Sequence, residues 1–290
     1  MMGSKIRYLL FFQYIGTKYS GVMKARADQE VLGVQNYIEM ALEKLRTVGN
    51  PTIYISSRTD SGVHALCNSA HVDIERPSGK DPFSEAILVK ALNYHLKPGD
   101  IRVLKAIRVR DDFHARFNAV SRTYVYRIVT GYRGPNLPVF ERNLCWAASE
   151  SSLDVEKIQE AAQMLLGTHD FTAFRSINSE TPFKSPVKTL AQADFTASTS
   201  LFPIYSQSSD VQFWNFTFKA NSFAYKQVRR MTSALVAVGL GRLTPQQIKF
   251  HLETGEQMSF SRNVIAPPYG LFLKEVKYSE TDLNMNKTPS

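Results

Sequence analysis

Hydrophobic residues run almost unbroken through Lys5–Tyr14 (KIRYLLFFQY), the pattern of a central strand covered on both faces. Past Gly16 and Gly21, which punctuate a loop, the period changes. Val34, Ile38, Ala41, Leu42 and Leu45 recur at helical spacing and predict an amphipathic helix that Asn50-Pro51 ends. Residues 52–57 (TIYISS) and 68–74 (NSAHVDI) read as two strands joined by a loop over 58–66, where Gly62 supplies backbone freedom. Ile87, Leu88, Ala91, Leu92 and Leu96 mark a helix over 84–96, stopped by Pro98-Gly99, and a strand follows at 101–109.

A second half has a similar rhythm. Residues 122–130 (RTYVYRIVT) alternate as a strand does, and 131–143, with two prolines and two glycines, form a loop. Val155, Ile158, Ala162 and Leu165 place a helix over 152–166, closed by Gly167. Strands are expected at 187–196 and 212–220, separated by a Ser-rich connection over 197–210. Val228, Thr232, Leu235 and Val238 predict a long helix over 223–240. Thr244-Pro245-Gln246-Gln247 is a capping box with proline in the first helical position, and Gly255 closes that helix. A last strand spans 270–278. The order of elements suggests two α/β units of similar design, residues 1–110 and 111–278, and a polar tail over 279–290 that stays mobile. The natural place for a substrate is the cleft between halves.

With 43% hydrophobic and 21% charged residues, the 290-residue chain belongs with globular proteins rather than disordered, fibrous or membrane classes. A formal net charge of +9 and a pI near 9.4 favour a polyanionic partner, with nucleic acid the leading candidate. Cys67 and Cys145 are the only cysteines, with neither a CxxC nor a nearby histidine at ligand spacing, so neither a disulfide framework nor a zinc site is indicated. No apolar run reaches the length of a membrane span, and a secretory pattern and an evident transit peptide are missing. The expected location is intracellular, in mitochondrion or cytoplasm.

One segment crowds chemistry. Ser57-Arg58-Thr59-Asp60-Ser61-Gly62-Val63-His64-Ala65 sets a carboxylate, a guanidinium and an imidazole on a Gly-containing loop at a strand end, where rigid scaffolds tend to carry reacting groups. In isolation, Asp-Ser-Gly is ordinary turn chemistry and a lone histidine is a structural residue.

The string RTDxGVHA, however, resembles the signature of the TruA-type tRNA pseudouridine synthases, and further motifs of that family follow in order. These are Tyr14-Ile15-Gly16-Thr17-Lys18-Tyr19-Ser20-Gly21, Gly33-Val34-Gln35, Ala91-Leu92-Asn93, His114-Ala115-Arg116-Phe117 and Ser121-Arg122-Thr123-Tyr124-Val125-Tyr126. Gly167-Thr168-His169-Asp170-Phe171 and Phe223, followed by Gln227-Val228-Arg229-Arg230-Met231, complete the set.

The resemblance implies an α+β fold of two pseudo-symmetric halves, each like a ferredoxin-type or RNA-recognition-motif unit. The halves would share a mainly antiparallel central sheet flanked by helices, with the active cleft across it. It implies isomerisation of uridine to pseudouridine in tRNA without metal or organic cofactor, and a homodimer. Asp60 corresponds to the catalytic aspartate, which needs to be ionised and rigidly held to act on a sugar carbon or proton. Arg229 corresponds to the arginine that pairs with it and lowers its pKa. Tyr124 corresponds to the tyrosine stacked on the uracil, and Arg58 to the arginine that fills the place of the flipped nucleotide. His64, Arg116, Arg122 and Arg230 complete the substrate-binding set, and Arg127, Lys24 and Arg26 are further phosphate contacts. Ile15, Val22 and Met23 depart from the family pattern in the first loop, which puts the choice of target uridine in doubt.

Two other readings compete. A non-catalytic RNA-binding or chaperone protein would keep the basic cleft, although it would be expected to have lost Asp60 or its arginine. A metal-dependent phosphohydrolase would rest on His169-Asp170, without a further ligand cluster at the right spacing.

Overall fold

In the computed structural model, the described residues are 5–26, 28–97, 99–133, 137–149, 152–177, 185–201, 211–256 and 265–284. They divide into two compact units, Met1–Arg122 with Leu273–Ser290, and Thr123–Phe272.

The first unit begins with β1 (Lys5–Tyr14), α1 (Val34–Glu43), β2 (Ile53–Ile55), β3 (His64–Glu75), α2 (Glu85–His95) and β4 (Ile101–Arg108). β1 lies between β3 and β4 and is antiparallel to both, and β2 is antiparallel to β3 on its other side. That is the βαββαβ order of a ferredoxin-like unit. Tyr8, Leu9 and Leu10, three residues in succession, are fully buried, as a strand covered on both faces requires. The apolar stripe of α1 (Val34, Ile38, Ala41, Leu42) is buried as the spacing demands. Gln35, Asn36 and Glu39 are buried as well, on faces that periodicity assigns to water. Each is bonded: Gln35 Nε2 donates to Glu39 Oε1 and to the Ile53 carbonyl, and Asn36 Oδ1 accepts from Ala25 N and Gly33 N.

The second unit takes up β5 (Ala119–Thr130) from Thr123 onward and adds β6 (Trp146–Ser149), α3 (Val155–Met164), β7 (Gly167–Asp170), β8 (Val187–Ser198), β9 (Gln212–Ala220), α4 (Gln227–Gly239) and α5 (Pro245–Thr254). Its strands run in the order β5-β9-β8-β7, with β6 parallel to β5. Phe195, Phe216 and Phe218 on the sheet and Ile158, Leu165, Met231, Leu235 and Ile248 on the helices are buried. At about 1.5–3 kcal/mol for each large side chain, they dominate the stability of this half. Finally β10 (Leu271–Tyr278) leaves the second unit after Phe272 and takes a place beside β3 in the first. The short helix α6 (Glu280–Leu283) follows within the expected tail, and 285–290 lie outside the described residues.

The α+β class and the mainly antiparallel sheet structure stand as expected. Four elements differ. The helix expected over 223–240 starts only at Gln227, because Lys226 adopts a left-handed conformation (φ 59°) that cannot sit inside a helix. β3 starts at His64, so the preceding loop is shorter than 58–66. β6 and β7, four residues each, were not expected at all. Of the connections expected at 131–143 and 197–210, residues 134–136 and 202–210 lie outside the described residues.

Within the 131–143 connection stands a charge that composition gave no reason to single out. Glu141 is fully buried: Oε1 accepts from Ser200 Oγ (2.7 Å) and Leu201 N (2.6 Å), and Oε2 lies 3.0 Å from Arg127 Nη1. Arg127 also donates to the Leu144 carbonyl. An arginine read as a phosphate contact is therefore one half of an internal ion pair.

Candidate active site

The loop between β2 and β3 is fixed from both sides. Ser57 O accepts from Asn68 Nδ2 (2.9 Å), Thr59 Oγ1 bonds Tyr14 OH (2.7 Å), and Ser61 Oγ donates to the Tyr19 carbonyl (3.2 Å). Val22 N donates to Thr59 O, and Val63 N closes the turn on Asp60 O (3.2 Å). Asp60 is thus flanked by tied positions and is itself half-buried, between a buried Thr59 and an exposed Ser61. Such a loop holds a carboxylate in one place without ordering cost at the moment of reaction.

The glycines of the first loop explain how the two segments come so close. A Cβ on Gly16 would stand 1.9 Å from Val63 O, and one on Gly21, at φ +111°, 2.7 Å from Thr59 O. Only hydrogen fits there. His64 is 1% exposed and its Nδ1 accepts from Gly16 N at 3.0 Å, so a neutral ring carries its proton on Nε2. The histidine of the motif therefore ties the two loops together from inside. Arg58 is exposed at the loop's surface.

Residues 114–118 form a second fixed turn in the same unit. Ala115 N donates to His71 Nδ1 (3.1 Å), Ala115 O accepts from Tyr278 OH (2.6 Å), and Arg116 O accepts from Arg122 Nη2 (2.7 Å). The same Arg122 nitrogen bonds Ser56 O, which makes the turn a neighbour of the Asp60 loop. Arg122 is 8% exposed, and its Nη1 reaches Ala119 O. A buried guanidinium spent on three carbonyls braces the backbone, and its position lends no support to a phosphate contact. Arg116, by contrast, is exposed.

His71 has a measurable signature. Burial first, then His114 and Arg7, pull its pKa from the ordinary 6.5 down to about 4, against the opposing pull of Asp73. Between those two values the unfolded chain binds a proton that the folded one refuses, so stability is lost as pH falls from 6.5 towards 4. This contribution amounts to about 3 kcal/mol. Urea unfolding across that window is expected to show His71→Asn with a flatter pH dependence than the unchanged chain; an equal slope in both would refute the assignment.

In the second unit, Tyr124 is buried with Phe223 set edge-on to it at 5.2 Å and 90°. Tyr126, on the same strand face, is fully buried and donates from its OH to Pro267 O (2.6 Å). Burial raises its pKa well above the ordinary value, while the charge of Arg229 pulls the other way. Gly270 lies flat against the Tyr126 ring, where a Cβ would come within 2.6 Å. Arg229, half-buried in the first turn of α4, donates from Nε to Ala266 O (2.7 Å). The segment 265–270 thus holds Tyr126 and Arg229 in place. Arg230 donates to Ser176 Oγ (3.1 Å), and burial lowers its pKa from the usual guanidinium value.

Of the remaining candidates, Lys24 pairs with buried Glu39 at 2.8 Å, and Arg26 is exposed. His169 bonds the Leu166 carbonyl, and Asp170 caps the turn at Thr172 N. Both side chains bond backbone groups, and among the described residues no three His, Cys, Asp or Glu side chains group as a metal site.

A family model described as tRNA pseudouridine synthase matches residues 10–118 and 161–279. Those stretches hold Arg58, Asp60, His64, Arg116, Arg229 and Arg230, whereas Arg122 and Tyr124 fall in the gap between them. Among similar proteins, tRNA pseudouridine synthase-like 1 of Xenopus laevis is 64% identical over 284 residues, covering 98% of this chain and 95% of that protein. The Homo sapiens protein of the same name is 51% identical over 278 residues, 94% of this chain and 90% of its own. tRNA pseudouridine synthase A of Maricaulis maris is 37% identical over 273 residues, 94% and 98% of the two chains.

Proposed function

The chain belongs to the tRNA pseudouridine synthase family, and from that premise we propose that it isomerises uridines of tRNA to pseudouridine with Asp60 as the catalytic carboxylate. The observation that carries the reading is the clamped loop: Ser57, Thr59, Ser61, Val63 and His64 around Asp60 are bonded so as to fix the backbone, while Asp60 itself stays half-exposed. Rigid loops with one accessible acid suit a reaction that needs a positioned anion.

In the isomerisation the C1′–N1 bond breaks and a C1′–C5 bond forms; N1 gains a proton and C5 loses one to solvent. No electrons enter or leave, so the uracil carries both ends of the exchange. Asp60 would act at the sugar, as nucleophile or as base. Arg229 would pair with it, and Tyr124 would stack on the uracil. Arg58 would occupy the space of the everted nucleotide, because a base inside a stack cannot be reached. The excess of Lys and Arg, 35 against 26 acidic residues, suits a tRNA partner.

The test is position-resolved mapping of pseudouridine in tRNA from cells with and without the protein. Discrete uridines are expected to lose the modification, and to regain it when the purified protein is added to that RNA. If no tRNA position responds to either change, the reading falls.

A further inference from the structure

We propose that Phe117, held out on the turn of residues 114–118, is a stacking platform for an unpaired nucleobase of the RNA substrate beside the Asp60 loop. The inference rests on the reading of the chain as an RNA-modifying enzyme and adds a residue to its binding surface.

The ring of Phe117 is 75% exposed. Single exposed apolar side chains are common and need no explanation of their own. This one differs in how it is held. The backbone of its turn is gripped by His71, Tyr278 and Arg122, all buried, and by Asn118 Oδ1, which accepts from His114 N. Four polar side chains thus fix a turn whose outermost group is an aromatic ring facing water.

The ring is also backed by others. His114 lies against Phe117 at 4.4 Å, His71 meets His114 at 4.6 Å, and Tyr54 stacks on His71 at 4.8 Å and 11°. Burial lowers the pKa of both imidazoles, so this ladder is uncharged at neutral pH. The Arg116 guanidinium sits 5.7 Å from the Phe117 ring, and Arg58 is exposed on the neighbouring loop. A flat ring on a fixed turn, with the Arg116 guanidinium beside it, fits a base and its phosphate, because every base has a π-face and every nucleotide an anion. The same charges are poor company for an apolar protein surface, which makes RNA the partner these residues favour.

The test compares the full chain with Phe117→Ala and Phe117→Trp on an unmodified tRNA transcript, reading Kd, KM, kcat and melting temperature. Phe117→Ala is expected to raise Kd and KM roughly ten- to a hundredfold, with a smaller change in kcat and an unchanged melting temperature. Phe117→Trp is expected to keep the affinity, and its added fluorescence, above that of Trp146 and Trp214, to be quenched when tRNA binds. An unchanged Kd in the alanine variant overturns the platform. So does a lowered melting temperature that accounts for the loss, or a change in sedimentation alone, which would give the ring to a second copy of the chain. Failure of the underlying reading looks different: the unchanged protein would bind the transcript, with Phe117→Ala weaker, yet form no pseudouridine.

Discussion

Asp60→Ala is expected to cut the release of tritium from tRNA labelled at uracil C5 by about four orders of magnitude, leaving tRNA affinity within a few fold. Asp60→Asn should do the same, because the amide keeps the shape but can neither attack a sugar carbon nor take its proton. The loop around it should survive either change. Its fixing bonds come from Tyr14, Tyr19, His64 and Asn68, and the turn itself closes on the backbone oxygen of residue 60. Turnover retained in the alanine variant would sink the mechanism, whatever the RNA affinity.

The second large effect concerns stability. Glu141→Ala is expected to destabilise the protein by about 3–5 kcal/mol, because it leaves the Arg127 guanidinium buried without its counter-charge. Two further donors, Ser200 Oγ and Leu201 N, lose their acceptor in the same change. The double variant Arg127→Met with Glu141→Leu should recover most of that loss, since packed apolar groups replace a buried pair at little net cost. Urea unfolding of the three proteins decides the matter. A single-variant cost below about 1 kcal/mol would mean that the pair behaves as a surface ion pair does.

How far these features could be read from the sequence varied with their physical origin. Where one face is apolar and the other wet, periodicity was sufficient. β1 and the capping box of α5 lie where residues 5–14 and Thr244-Pro245-Gln246-Gln247 put them. Where polar residues are buried, the pattern placed the strand but not their partners. Asn68, Ser69 and His71 lie in β3 as residues 68–74 predict and are satisfied by Ser57 O, Tyr278 OH and Ala115 N, while the start of the strand at 64–67 fell in the expected loop. No local rule anticipates a partner 209 residues away.

The same limit applied to the candidate site. Asp60 and its loop stood out because a motif is local. Arg122 and His64 carried the chemical appearance of ligand-binding groups, yet the bonds the structure gives them brace backbone. Charge type says what a side chain can do, and only its surroundings say what it is spent on. Glu141 went unnoticed for the opposite reason: one acid in a Pro- and Gly-containing connection has no periodic signal, and its arginine lies on another element.

The return of β10 to the first unit also has a consequence for the order in which a newly made chain can mature. A ribosome delivers residues 5–108 early, but β3 waits for a neighbour, and the turn at Ala115 for the hydroxyl of Tyr278, until residue 278 has been made. Until then the first unit exposes an unpaired strand edge of the kind that invites aggregation. A message cut short before Leu271 would therefore leave the first unit open, since the stretch that closes it is made only after the second.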